Sequence, residues 1–244
     1  MLTEERHSMI IKAVNERASV TIAELAEMLD VSASTVKRDL IILANEGKII
    51  KVRGGAMSRN ESFTSVEKNV EEKASICTEE KMTIAKYAAE LIENGDFVFL
   101  DAGTTTEKMI DYLNVKDVTF VTNGFIHAKK LARKGYKVFI TGGEIKASTE
   151  AECVLTLKNY NFTKCFMGTN GISLTAGFTT PDVNEARVKS AAIESSREVY
   201  VLADHSKFDE VSSATFAGLG KAVIITDRIP NRKYNNAADI TEVG

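Results

Sequence analysis

What this chain has little of narrows its class first. Nowhere do its 244 residues approach the run of about eighteen apolar residues that crosses a membrane, so no membrane partner is expected. Its start, MLTEERHSMI, carries acids where a secretory leader has cations followed by an apolar stretch. Cysteine is scarce: Cys77, Cys153 and Cys165 are odd in number and widely spaced. They offer neither a zinc spacing nor a disulfide framework, so each reads as a small buried hydrophobe in a reducing cytoplasm. No metal and no cofactor is expected. There is no internal repeat and no low-complexity stretch. Ser-His-Asp, Cys-His and Walker constellations are also missing, and His7 and His127 belong to no grouping.

What is present is an ordinary globular balance, 44% hydrophobic and 27% charged, at a length that suits one small and one medium domain. A net charge of −3 argues on average against nucleic acid, but the charge is unevenly spread. Residues 1–31 hold three basic against six acidic side chains. Residues 32–59 then hold Lys37, Arg38, Lys48, Lys51, Arg53 and Arg59 against only Asp39 and Glu46. A local basic footprint is what phosphate contacts require.

Three helical patterns fill the first part of the chain. The first spans about 3–16, with Met9, Ile10 and Val14 on its buried side. Thr21 and Glu24 form a capping box for the second, with Val20 and Leu25 at hydrophobic-staple positions and an end near Met28. Ser32 caps the third, which ends before Gly47 and turns Val36, Leu40 and Leu43 to the core. Ser34, Thr35, Lys37 and Arg38 then face solvent, where a recognition helix meets the major groove. The segment 48–53, followed by Gly54-Gly55, suits a wing whose Lys51 and Arg53 meet DNA. A plain three-helix protein-binding bundle is the alternative. An RNA-binding reading lacks aromatic stacking platforms.

Residues 58–75 are polar and without clear period, a linker that could include a connecting helix. This places a winged helix-turn-helix at 1–57 and a larger domain at 76–244. After a helix from Thr78, apolar strands near 97–100, 118–121, 137–141, 164–168, 198–203 and 222–226 alternate with helices near 106–113, 125–134 and 184–196. That pattern is α/β, a doubly wound and mostly parallel sheet. Ligands of such sheets sit beyond the C-terminal strand ends. Those ends carry Asp101, Gly103, Thr104, Thr105 and Thr106, then Thr122 and Asn123, Gly142 and Gly143, Asn170 and Gly171, and Asp204 and Lys207, with Glu185 and Lys189 on a nearby helix. Gly103 and the threonines opening a helix have the makings of a phosphate cradle. Lys207 could pair with phosphate, Asp204 with a sugar hydroxyl, and His205 reads as a turn residue. Lys189 could as well be a solvated helix residue and Asp204 a simple turn former.

The stretch SASTVKRDLIILANEGKIIKVRGGA closely resembles the DNA-binding motif of the DeoR family of bacterial regulators. It departs from the family pattern at Val36-Lys37 and at Arg53. DAGTTT at 101–106, VTN at 121–123, GG at 142–143, GTNGI at 168–172, NEA at 184–186, Lys189 and DHSKF at 204–208 resemble the family's effector domain. His205 stands where Ser is common. The resemblance implies a fold related to ribose-5-phosphate isomerase and a phosphorylated sugar effector that releases a repressor from operator DNA. A homo-oligomer, dimer or tetramer, is expected because two half-sites must be read. The competing reading is a sugar-phosphate isomerase or deaminase with an appended DNA-binding module. Relatives of that kind place acids in the loop matching 168–171. Asn170 is an amide and takes no proton there at neutral pH, although Glu185 remains a candidate base. A sensor, not an enzyme, is the expectation.

Overall fold

The computed structural model of the chain describes residues 3–17, 19–52, 54–58, 62–64, 70–142 and 157–244. The chain divides into two units, Met1–Glu61 with Asn231–Tyr234, and Ser62–Pro230 with Asn235–Gly244.

The first unit runs α1 (Thr3–Arg17), β1 (Ser19–Thr21), α2 (Ile22–Leu29), α3 (Ala33–Asn45), β2 (Ile49–Val52) and β3 (Gly55–Ser58). Local chemistry starts and stops each helix. The Thr21 amide donates to Glu24 Oε2 at 2.8 Å while the Glu24 amide donates to Thr21 Oγ1 at 3.2 Å. Val20 and Leu25 flank that box and are both buried. Asp30 takes a left-handed conformation, φ 52°, to end α2, and Ser32 Oγ accepts the Thr35 amide at 3.2 Å to begin α3. Such caps contribute about 1 kcal/mol each. Ile10, Val14, Leu25, Val36, Leu40 and Leu43 pack together as one core. Met9, expected inside, is 39% exposed. Ile10, Ala13 and Val14 supply the buried stripe of α1, and Met9 falls beside it.

Two features of this unit have no local sequence signal. Asp39 is buried on α3 and receives Arg6 Nε at 2.6 Å and Arg6 Nη2 at 3.0 Å, with His7 Nε2 at 3.1 Å. Strand β1 is the other. It pairs antiparallel with β3, which pairs with β2, so the wing is three-stranded in the order β1-β3-β2. A Cβ on Gly55 would stand 2.2 Å from the Val20 carbonyl oxygen, so only glycine permits that approach.

The second unit begins inside the expected linker, with β4 (Ser62–Thr64) and α4 (Val70–Ser75). There follow α5 (Thr78–Glu90), β5 (Phe97–Leu100), α6 (Thr104–Tyr112), β6 (Thr119–Thr122), α7 (Phe125–Arg133), β7 (Lys137–Ile140), β8 (Phe162–Gly168), β9 (Gly171–Ser173) and β10 (Gly177–Thr180). Then come α8 (Val183–Glu194), β11 (Ser196–Leu202), β12 (Glu210–Ser212), β13 (Ala214–Ala217), β14 (Val223–Thr226) and β15 (Asp239–Glu242). Seven strands form one all-parallel sheet in the order β15-β14-β11-β8-β5-β6-β7. Residues of both pleats are buried. Val98, Leu100, Phe120, Phe166 and Leu202 pack against α5, α6 and α7 residues, and Phe99, Cys165, Met167 and Val201 are buried between them in sequence.

The smaller sheets were not foreseen. One has the antiparallel order β13-β10-β9; the other pairs β4 with β12 in parallel. Strand β15 at the edge of the large sheet was also missed. These strands are three or four residues long and rich in Gly, Thr and Ser, so alternation has no length in which to show. The sheet's order reverses direction between β5 and β8: the chain goes outward through β6 and β7, then returns to lay β8 on the other side of β5. In sheets of this kind ligands sit beyond the strand ends at such a switch point.

Candidate functional site

On the first unit, α3 presents Ser34, Lys37 and Arg38 to solvent, with Thr35 half-buried, while its core face is closed. The Ser34 and Thr35 hydroxyls share hydrogen bonds with Ser32 Oγ at 2.8 and 2.9 Å, so they shape the helix start. Lys51 is exposed on β2. Arg53 lies outside the described residues. Exposed cations on a recognition helix and on an adjacent wing strand are the elements of a major-groove interface.

On the second unit, Asp101 follows β5 directly and is fully buried at the switch point. Its Oδ2 accepts the Gly168 amide at 3.0 Å and the Lys189 ammonium from α8. Lys189, also buried, donates to the Gly168 carbonyl at 3.0 Å and pairs with Glu185 Oε1 at 3.1 Å. It is therefore no solvated helix residue. Burial alone would push the Lys189 pKa down, but Asp101 and Glu185 outweigh it and hold it above the ordinary value. Burial raises Asp101, joined by the Glu185 charge and opposed by Lys189. Two oxygens of this triad, Asp101 Oδ1 and Glu185 Oε2, are buried without a hydrogen-bond partner. Each is an acceptor awaiting a donor.

The start of α6 lies alongside. Gly103 is its N-cap and supplies no side-chain hydrogen bond; Gly124 begins α7 in the same way. Helix α8 differs, because Asp182 accepts from the Asn184 and Glu185 amides. The Gly103 amide donates to His127 Nε2 at 3.4 Å, and no side-chain cap bonds the amides that follow it, the groups an anion would use. Asn123 Oδ1 accepts the Ala102 amide at 2.8 Å, tying the β6 end to the β5 end. Thr106 and Thr122 spend their hydroxyls internally: Thr106 Oγ1 donates to the Asp101 and Gly103 carbonyls at 2.7 and 2.9 Å, and Thr122 Oγ1 accepts the Gly124 amide at 3.0 Å. Thr105 is buried and Thr104 half-buried at the first turn. His127, assigned to no grouping from sequence, lies in this corner, 3.1 Å from Thr106 Oγ1 and 3.2 Å from the Gly103 carbonyl through Nε2. Burial pushes its pKa down to about 4.

The remaining candidates divide. The Asn170 amide donates to the Thr179 carbonyl at 3.0 Å, and its Oδ1 accepts Thr180 Oγ1 at 3.4 Å, so it is fastened to β10. Gly171 is a structural requirement, since a Cβ there would stand 2.3 Å from the Glu210 carbonyl oxygen. Gly142 is exposed after β7, and Gly143 lies outside the described residues. Asp204 is buried after β11, where its Oδ1 accepts the Ser206 amide at 3.0 Å. Lys207 is half-buried in the same short turn. His205, expected as a turn residue, is in the turn but also holds Asp227 on the neighbouring β14 end, with amide and Nδ1 both 2.7 Å from its carboxylate oxygens.

A winged helix-turn-helix with an exposed basic helix, followed in one chain by a parallel sheet with a buried charged cluster at its switch point, defines a ligand-responsive transcription regulator. Residues 6–62 match the DeoR-like helix-turn-helix domain and residues 76–228 the DeoR C-terminal sensor domain. The chain belongs to the DeoR family. It is 42% identical over 248 residues to the uncharacterized HTH-type transcriptional regulator FruR of Bacillus subtilis (strain 168), covering 100% of this chain and 98% of that protein. To the lactose phosphotransferase system repressor of Staphylococcus aureus (strain NCTC 8325 / PS 47) it is 35% identical over 251 residues, 100% of this chain and 99% of that one. Among solved structures, ribose 5-phosphate isomerase A of Methanocaldococcus jannaschii is similar over 52% of this chain and 53% of its own, at 17% identity and a TM-score of 0.38. The family and these curated relatives are regulators of transcription, not enzymes. No helix among the described residues is long and apolar enough to cross a membrane.

Proposed function

We propose that this regulator represses a sugar-metabolism operon and leaves its operator when a phosphorylated sugar or related metabolite binds the second unit. The observation that carries the reading is the switch-point triad beside an uncapped helix. The α6 terminus, with Gly103, Thr104 and Thr105, is the phosphate cradle, and its unpaired amides and dipole favour negative charge. Asp101 Oδ1 and Glu185 Oε2, buried and unpartnered, accept hydrogen bonds donated by hydroxyls of the sugar. A ligand presenting an anion at one end and donors at the other satisfies both, which neither inorganic phosphate nor a neutral sugar does. Asn123, Gly142, Asn170, Asp204 and Lys207, which follow β6, β7, β8 and β11, belong to the effector face of this reading. Lys189 pairs with both carboxylates, so each is engaged by the one ammonium, in keeping with binding without turnover.

Ser34, Thr35, Lys37, Arg38, Lys51 and Arg53 form the DNA face of this reading. Two such faces in a dimer or tetramer read two half-sites, and the protein works in the cytoplasm. The test is isothermal titration of the full chain with sugar phosphates and their unphosphorylated parents, joined to gel shifts with operator DNA. A sugar phosphate binds, its parent does not, and operator affinity falls by the same factor by which operator weakens the ligand. Binding of the neutral sugar with equal affinity would remove the phosphate cradle from the account.

A further inference from the structure

We propose that Cys77, Asp204 and His205 form a binding site for a first-row transition-metal dication of the zinc type, with Asp227 positioning the imidazole. Their ligand atoms, one from each side chain, all lie within 4.8 Å of one another, a separation that one ion can bridge. Glu80, His205 and Asp227 form a second group of the same tightness, sharing His205. The sequence gives no hint of this. Cys77 and Asp204 are 127 positions apart, and no short cysteine or histidine spacing marks them.

The fold assembles the site from three places. Cys77 is the N-cap of α5 in a left-handed conformation, φ 51°. Its turn is held by the Lys81 ammonium, which donates to the Ile76 carbonyl at 2.7 Å and to the Lys73 carbonyl. Helix α5 packs on the face of the large sheet, where its Ile84, Ala85 and Ala88 share a core with Leu202 of β11 and Ile225 of β14. That packing sets Cys77 over the end of β11, where Asp204 and His205 emerge. Asp204 binds Ser206 through one carboxylate oxygen, Oδ1. His205 is held by Asp227 through both its backbone amide and Nδ1. A carboxylate behind a ring nitrogen fixes the tautomer and turns the other nitrogen, Nε2, into the ligand; metal-binding histidines are arranged in this way.

The donor set selects the ion. A thiolate, an imidazole and a carboxylate suit zinc or cobalt, whereas magnesium and calcium prefer oxygen alone. Three protein ligands leave a fourth tetrahedral position for water or another small ligand. Three carboxylates, Asp204, Asp227 and Glu80, surround the thiol and imidazole, and of the nearby cations the Lys81 ammonium is already engaged by carbonyls while Arg228 stands 3.9 Å from Asp227. Cys77, whose thiol hydrogen-bonds Asp204, gives up its proton to solvent as the metal–sulfur bond forms. The site goes beyond the effector reading, and because Asp204 belongs to both, the test uses metal alone.

Full-length protein freed of metal by chelation is titrated with Zn2+ and, separately, with Co2+, following absorbance. One ion binds per chain, and Co2+ produces a sulfur-to-metal charge-transfer band. Cys77→Ser abolishes the band. Asp227→Asn retains the band and weakens binding about 10–100-fold, the usual loss for a carboxylate behind a ligating histidine. His205→Gln weakens it further. Far-UV circular dichroism checks folding, and if Cys77→Ser does not fold, the His205 and Asp227 variants decide. Failure to bind either ion, or wild-type affinity and band in the variants, overturns the site.

Discussion

Replacing Lys189 with methionine tests the switch point directly. The two side chains are similar in volume, so packing is preserved while the cation between Asp101 and Glu185 is lost. Asp101 is then a fully buried carboxylate whose remaining partner is the Gly168 amide at 3.0 Å. Removing one member of a buried ion pair costs about 3–5 kcal/mol, because the other charge is stranded. For a unit of this size each kcal/mol moves Tm by roughly 2–4 °C, so a fall of about 6–20 °C is expected. The double variant Asp101→Asn with Lys189→Met leaves no stranded charge at position 101 and recovers part of the loss. The pH dependence has a definite sign. Burial and Glu185 raise the Asp101 pKa, so the folded state holds that proton more tightly than the unfolded chain, and the carboxyl favours folding as pH falls. Without Lys189 the rise is larger. The deficit against wild type is therefore greatest near pH 8 and shrinks toward pH 5. Differential scanning calorimetry across that range reads both effects. A variant melting within a degree or two of wild type at pH 8 would refute the reasoning.

Three further outcomes are expected. Lys37→Ala with Arg38→Ala abolishes operator binding, each lost phosphate contact reducing the log–log salt slope by about 0.9; unchanged affinity and slope in fluorescence anisotropy would remove α3 from the groove. Gly103→Val, whose Cβ meets Thr106 Oγ1 at 3.1 Å, abolishes binding of the sugar phosphate while operator affinity stays nearly intact, as paired calorimetric and gel-shift titrations will show. Asp39→Ala lowers the melting temperature of the first unit by several degrees at neutral pH. Because Arg6 holds the Asp39 pKa below the ordinary value, that difference is present above about pH 4 and fades as acid protonates the wild-type carboxylate, readable by circular dichroism.

The N-terminal unit was legible where its information is local. A capping box at Thr21 and Glu24, a cap at Ser32 and the spacing of Val36, Leu40 and Leu43 each lie within one or two turns, and each helix stands where they put it. The six expected strands of the large sheet are present, displaced by a residue or two at their ends. What escaped depends on distant partners. Arg6 and Asp39 are 33 positions apart, and Lys189 and Asp101 are 88 apart; neither bond leaves a trace in any window of sequence. Several strand-end residues were identifiable as polar groups on one edge, but not whether their hydroxyls were committed. Thr106 and Thr122 brace the turns from within, whereas the oxygens of Asp101 and Glu185 are left over, and that difference is decided only by three-dimensional pairing. Cys77 reads as an inert hydrophobe until α5 carries it to Asp204.

His127, packed against the opening of α6, has its pKa pushed down to about 4 by burial. Through the neutral range its ring is uncharged, and the attraction of that helix terminus for anions comes from peptide dipoles, which do not titrate. A histidine in the same place with an ordinary pKa would have made the cradle a pH meter as well, tightening on any phosphate whenever the medium turned acid. Keeping the ring dry separates the two messages. His127 therefore adds no charge of its own to the terminus at neutral pH.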